Sequence, residues 1–507
     1  MTSNLTVPTR QDLERLAGEC GIDVAPAELD AFVELAARYV PAYDRLLELR
    51  AISQRSPTRT TTYSLPSAEQ NRYGGWASRC TIRERTDGSL VGKRVAIKDN
   101  ICVAGLPMLV GSQLMEDHVP VADATVVERV LQAGGEIVGK TAVPGFCMDG
   151  ASVTGYPEPQ PVNPHSTVHS AGGSSSGNAV VLVEETADIA IGSDTAGSVR
   201  IPASWCGVVG LKPTYDLVPT DGLFPIERTL DHLGPMARSV EDCALLLDVL
   251  ANPPRDLRKS QQQDEWGFTQ ALRGDLDGVR IGILREGFEI PDCSEPDVDD
   301  TVIAAARMLT DYGATVHDIS VPPHADSTAI WAGLLFEGSH QLLASGGLGI
   351  RSGDRNAADM QAFFSRRLRE RSALLPPTVK FTLLIGRYAA VKYDRRLYAD
   401  ARELASRLRH SYSSALQEVD VFIMPTTPMK ALPLPVSGDI VELFSVAWSN
   451  LQNTAAFNVT GHPSLNVPSN AEDRLPIGVM IVGRHLEDAV VLRVGNVLER
   501  ALASNHA

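Results

Sequence analysis

The chain has 507 residues, 44% hydrophobic and 21% charged, which is globular composition and enough length for more than one domain. Gly (41) and Pro (32) are too few for a disordered or collagen-like chain. A net charge of −16 repels nucleic acid and anionic membrane, so catalysis on small molecules fits the balance best.

Cys20, Cys80, Cys102, Cys147, Cys206, Cys243 and Cys293 are scattered and form no C-x-x-C pair. Neither a zinc cage nor a disulfide framework is expected, which points to a reducing compartment. No basic stretch leads into an apolar one at the N-terminus. No window reaches the roughly 18 apolar residues of a membrane helix. A cytoplasmic protein is expected.

In chain order, residues 1–65 read as helix. Thr9 and Asp12 have capping-box spacing ahead of Leu13, Leu16 and Ala17. Leu29, Phe32, Val33, Ala36, Val40 and Tyr43 then follow at i, i+3, i+4 spacing, an apolar stripe on a charged helix. Such a stripe must cover something, either the main domain or a second copy of the chain. A polar stretch from Gln54 to Tyr73 separates this arm from the rest.

From Val91 onward, short β-branched runs alternate with helical ones. Strands are expected at Arg94–Ile97, Glu136–Val138 and Ile189–Ile191, with helices at Ala124–Ala133, Ala179–Glu184 and Ser239–Leu250. Val279–Ile283, a helix over Val298–Tyr312 and Thr315–Ile319 read as strand–helix–strand. Val419–Met424 and Gly478–Val482 return to buried-strand composition. The expected fold is α/β, with a mixed but mostly parallel sheet covered by helices on both faces.

Gly134 to Thr141 matches the phosphate-loop spacing G-x-x-x-x-G-K-T. The residues before it are helical, Glu136–Val138 is strand-like and Pro144 follows closely. A phosphate loop needs the reverse context, so the match reads as a helix-to-strand turn with Lys140 on the surface. His165 and His169 have metal-ligand spacing, but Pro161, Pro164 and a Gly/Ser tract flank them. They read as polar loop residues, and no metal or cofactor is expected.

Ser170–Asn178 carries three serines, Ser174, Ser175 and Ser176, between glycines, and Gly192–Pro202 is a second Gly/Ser loop. Two such loops beside helix and strand ends suit backbone-amide cradles better than linkers. Gly173-Ser174-Ser175-Ser176-Gly177 also fits the nucleophile-elbow pattern, which would make Ser175 the nucleophile of a Ser-His-Asp esterase. None of His232, His340, His410 or His462 stands in a context that singles it out. Lys98, in Val95-Ala-Ile-Lys98-Asp99-Asn100, ends an apolar strand.

Taken together, these segments resemble the amidase signature family. The likeness runs from about Gly92 to Leu250, through Asp194-Thr-Ala-Gly-Ser198-Val-Arg-Ile-Pro202 and Gly207–Thr214. It resumes at Asp420–Pro428 and Asn453–Pro463. It is most like the bacterial amidases associated with nitrile hydratase. The resemblance implies a Ser–cisSer–Lys triad with Ser198 as nucleophile, Ser174 as bridging serine after a cis bond from Gly173, and Lys98 as base. It places Thr195, Ala196, Gly197 and Ser198 around an oxyanion hole, and Met148, Trp331 and Leu451 against the acyl group. Ala196 departs from the family's usual pair of glycines. His232 and His462 are expected to be structural.

The implied activity is hydrolysis of a small amide to acid and ammonia or amine. The alternative within the family is the A-type component of an amidotransferase acting on aminoacyl-tRNA. The implied layout is an arm at 1–72, a catalytic domain at 73–254 and 371–507, and a small inserted subdomain at 255–370 over the site. Resembling amidases with such arms associate through them, so a homodimer is expected.

Overall fold

The computed structural model describes residues 6–53, 59–251, 267–344, 357–469 and 475–505. The expected boundary at 254/255 and the start of the polar stretch at Gln54 lie outside the described residues. The chain divides into two compact units, Met1–Thr58 and Arg59–Ala507.

In the first unit, α1 (Arg10–Cys20) begins with the expected capping box. Thr9 Oγ1 accepts the Asp12 amide at 3.2 Å and Asp12 Oδ2 accepts the Thr9 amide at 2.9 Å. Gly21 closes the helix with a φ of +67°. α2 (Pro26–Ser53) carries the apolar stripe, of which Leu29 is buried while Phe32 and Tyr43 are exposed.

The second unit is built on β1 (Tyr63–Ser64), β2 (Trp76–Ile82), β3 (Arg94–Lys98), β4 (Glu136–Thr141), β5 (Val162–Asn163), β6 (Ser166–Ser170) and β7 (Ile189–Asp194). It continues with β8 (Val209–Lys212), β9 (His232–Ala237), β10 (Arg280–Leu284), β11 (Thr315–Ile319), β12 (Val421–Pro425), β13 (Ser464–Ser469) and β14 (Ile477–Gly483). Apart from the β5–β6 hairpin they form one sheet, in the order β1-β2-β4-β3-β7-β9-β8-β13-β14-β12-β10-β11.

The sheet is mixed, but it is not mostly parallel. Among the described residues, only β3 with β4, β3 with β7, β10 with β11 and β10 with β12 pair in parallel; the other seven neighbour pairs are antiparallel. The antiparallel excess comes largely from β2, β8, β9 and β13, which local pattern does not mark as strands. Proline conceals two of them. Pro235 in β9 pairs with Ile191 of β7, while β8 reaches only Met236 and Ala237. Pro468 in β13 pairs with Gly478 of β14, while β8 reaches only residues 464–466. Each proline therefore sits where its strand has a ladder partner on one side only, the place in a sheet that tolerates a missing N–H. Residues 255–370, expected to form an inserted subdomain, contribute β10 and β11 to this same sheet.

Alternation along β3 explains how the site is aimed. Val95 and Ile97 enter the core on one face, and Ala96 packs on the other with Ala179, Val180 and Val181 of helix Ser176–Val183. Period two then directs Lys98 to the Ala96 face, beneath the serine loop that opens that helix.

Candidate active site

Lys98 is fully buried and donates from Nζ to Ser174 Oγ at 2.9 Å and to the Ser193 carbonyl at 3.1 Å. Burial is the main cause that brings its pKa down to about 8, against the opposing pull of Cys147, Asp194 and Asp231. The Gly173–Ser174 peptide is cis. Gly173 is required by close approach, since a Cβ there would stand 2.3 Å from the Asp149 carbonyl. The Ser175 amide donates to the Ser198 carbonyl at 3.0 Å and so ties the two serine loops together.

Ser198 lies just after β7 and is held by a carboxylate to which the resemblance assigns no role. Asp194 accepts the amides of Gly197 (2.7 Å) and Val199 (3.1 Å), and both Nε and Nη2 of Arg200 at 3.0 Å. Burial works against its charge, yet the Arg200 guanidinium holds it well below the ordinary carboxylate range. Asn458 donates to the Asp194 carbonyl at 2.8 Å and accepts from Arg200 at 2.7 Å. The sequence signal for Asp194 is local: a carboxylate three residues before glycine is set to receive that glycine's amide.

Of the four amides expected around an oxyanion hole, that of Gly197 is thus engaged by Asp194. This corrects the expectation for Gly197 in the present conformation. Thr195, Ala196 and Ser198 all line a cavity of about 30 Å³. Ala196 is not among the residues with positive φ, so its Cβ is accommodated without backbone strain. Met148, Trp331 and Leu451 line the same cavity, with Cys147, Ile226, Leu335 and Trp448, which sequence reasoning missed. Trp331 Nε1 donates to the Thr195 carbonyl at 3.2 Å. Asp149, the one ionisable carboxyl in the lining among the described residues, is occupied by the amides of Ala151, Val153 and Thr154. The cavity wall is therefore largely apolar. A larger space of about 790 Å³ lies along helix Ser327–Ala344 beside Gly333, Phe336 and Leu404, and none of Lys98, Ser174 or Ser198 lines it.

The remaining candidates fall elsewhere. Ser175 Oγ donates to the Ser193 carbonyl at 3.2 Å. His232 Nδ1 faces the Leu230 carbonyl at 2.7 Å, and His462 Nδ1 lies 2.9 Å from Thr460 Oγ1. Lys140 is not on the surface: it is fully buried in β4, where it donates to the Ile101 carbonyl at 2.7 Å and pairs with Asp99 at 3.2 Å. The phosphate-loop spacing is thus a turn running into a strand, with its lysine spent on a buried ion pair. His165 and His169 bond to the Cys206 carbonyl and to Ser166. Among the described residues no cluster of three His, Cys, Asp or Glu side chains could hold a metal ion.

A family model described as Amidase matches residues 67–492. An enantioselective amidase of Rhodococcus rhodochrous is 38% identical over 501 residues, covering 97% of this chain and 95% of that protein. The A component of a glutamyl-tRNA(Gln) amidotransferase, from Methanosarcina mazei, is 36% identical over 423 residues, covering 82% and 86%. The X-ray structure of peptide amidase from Stenotrophomonas maltophilia superimposes with a TM-score of 0.65 at 29% identity, covering 82% of this chain and 84% of that one.

Proposed function

The chain belongs to the Amidase family and is a hydrolase acting on C–N bonds, and on that premise we propose that it cleaves a small, neutral carboxylic amide through an acyl-Ser198 intermediate. The observation that carries this reading is the 2.9 Å hydrogen bond between Lys98 Nζ and Ser174 Oγ in full burial. A serine hydroxyl needs a base, and a lysine serves as one only when neutral. Desolvation supplies that condition at mildly alkaline pH.

In this mechanism Ser198 Oγ attacks the amide carbon while its proton passes to Ser174 Oγ and the Ser174 proton passes to Lys98 Nζ. Amides of Thr195, Ala196 and Ser198 stabilise the oxyanion, each such donor being worth about 2.7–4 kcal/mol in other enzymes. The C–N bond breaks as the relay runs backward and returns the proton to the leaving nitrogen. Water then attacks the acyl-serine by the same relay, releasing the acid and regenerating Ser198.

The apolar cavity wall favours an uncharged acyl group over an aminoacyl one. A second observation favours an amidase over a component of an amidotransferase. A match over 97% of the chain takes in the N-terminal arm, whereas one over 82% spans no more than the length of the family model. The same reading includes a cytoplasmic location, no nucleic-acid partner and a homodimer formed through the arm. Its support is the net charge of −16 and the exposed Phe32, Leu35, Tyr39 and Tyr43 of α2. No helix among the described residues is long and apolar enough to cross a membrane.

The test is a set of variants assayed on a neutral aryl or alkyl amide. Ser198→Ala is expected to abolish turnover and the acyl adduct seen by intact mass, and Ser175→Ala to keep both. Turnover by Ser198→Ala together with loss in Ser175→Ala would replace this reading with the esterase one. Sedimentation of the full chain as a monomer at micromolar concentration would remove the dimer.

A further inference from the structure

We propose that Asp231 is a positioning residue of this site, bracing the nucleophile loop against the acyl pocket. The inference rests on the Ser198–Ser174–Lys98 reading and adds a fourth group that touches neither substrate nor reacting atoms.

Asp231 immediately precedes β9, whose first residue, His232, is in register with Asp194 at the end of β7. That register sets Asp231 opposite Thr195, the first residue of the loop that carries Ser198. The carboxylate bridges two walls of the cavity. Oδ1 accepts the Thr195 hydroxyl at 2.8 Å and the Glu227 amide at 3.3 Å, and Oδ2 accepts the Ile226 amide at 3.0 Å. Thr195 and Ile226 both line the space around Ser198, and Asp231 itself does not. With the Thr195 carbonyl held by Trp331 Nε1, Thr195 is fixed by its side chain and its backbone at once. Its amide direction then depends on the carboxylate, as oxyanion geometry requires.

Among the described residues Asp231 makes no ion pair, so its charge is held by hydrogen bonds alone. Burial, with Glu227 beside it and the Thr195 bond opposing, brings its carboxyl up to about 7. The groups acting on it or sharing its surroundings are Lys98 of β3, Asp194 of β7, Glu227 of its own loop and Cys147 of the Gly145–Cys147 turn. Toward Lys98 the Asp231 charge favours the ammonium form, and so opposes the desolvation that frees the base.

The test compares Asp231→Asn, Thr195→Val and Thr195→Ser with the unsubstituted full-length enzyme, with Ser198→Ala as the control for the underlying reading. Asp231→Asn is expected to lower kcat about 10- to 100-fold, the cost of a misplaced catalytic loop. It is also expected to move the acid limb of kcat/KM to lower pH by about half a unit or more, because Lys98 loses a neighbouring negative charge. Thr195→Val is expected to lower kcat with the limb unmoved, and Thr195→Ser to restore kcat by restoring the hydroxyl. An acid limb of Asp231→Asn coincident with the parent overturns the electrostatic part. Parent-level kcat in Thr195→Val overturns the brace, and this comparison stands even if Asp231→Asn does not fold. Turnover by Ser198→Ala would instead overturn the reading on which both parts rest.

Discussion

The hydroxyl of Thr454 donates to the Ala196 carbonyl at 2.6 Å, and a Cβ built on Gly197 would stand 2.3 Å from that hydroxyl's oxygen. A side chain 258 residues downstream thus pins the peptide ahead of the nucleophile. Gly197 has a φ of +134°, so space and backbone both exclude a larger residue. Gly197→Ala is expected to cost at least about 100-fold in kcat, on the scale of a displaced catalytic group. Ala196→Gly, at a position without backbone strain, is expected to stay within about tenfold of the parent. Equal kcat values for the two variants would refute this account of the loop.

The pH dependence follows from Lys98. A base whose pKa lies at about 8 is protonated below that pH and free above it. We expect kcat/KM to fall about tenfold per pH unit below 8 and to plateau above. Lys98→Arg keeps the charge but cannot deprotonate near neutrality, and is expected to be folded and inactive. Circular dichroism and a pH–rate profile check both statements.

The cavity at Ser198 measures about 30 Å³, room for about one water. Leu451 is one of its apolar walls. Leu451→Ala is expected to raise kcat/KM for bulky acyl amides relative to small ones by about 10- to 200-fold, the range given by one to a few methylenes. An unchanged ratio across an acyl series would place the acyl group elsewhere.

Stability carries its own pH signature through Glu499. This carboxylate of helix Asp488–Asn505 accepts the Val240 amide at 3.1 Å, and burial pushes it up to about 7. The folded state then binds the proton more tightly than the unfolded one, so this contribution is present below about pH 4 and is lost as pH rises toward 7. Glu499→Gln keeps an acceptor for Val240 and removes the charge. It is expected to be more stable than the parent at about pH 8 by up to about 3 kcal/mol, and equal to it near about pH 4. Urea unfolding at the two pH values decides this. An equal difference at both would be packing, not titration.

The parts of the fold that can be read from local pattern are those whose determinants are local. The capping box at Thr9, the apolar run of β3 and the helix expected over Ser239–Leu250, observed at Val240–Leu250, fall where spacing alone puts them. β9 and β13 escape because each contains a proline that is excused only by the length of its neighbour β8. The same division holds in the site. Lys98 and Ser174 are brought together as the resemblance implies, whereas the lining by Trp448 depends on a helix with no nearby motif. Lys140 is misplaced by its sequence context for a related reason. A lysine next to a β-strand core reads as solvated until the partner carboxylate, Asp99 on the neighbouring chain segment, is known.

The nucleophile loop is completed by Thr454 and Asn458, and the strand that follows it, β8, is covered by β13. During synthesis, Lys98, Ser174 and Ser198 all leave the ribosome more than 250 residues before those partners. The growing chain therefore carries every reactive group for about half of its translation while the surface that arms them does not exist. Competence arrives late, when residues 454–469 dock onto a half-built sheet. A prematurely terminated chain would hold the full set of catalytic letters and be unable to act on any amide it met.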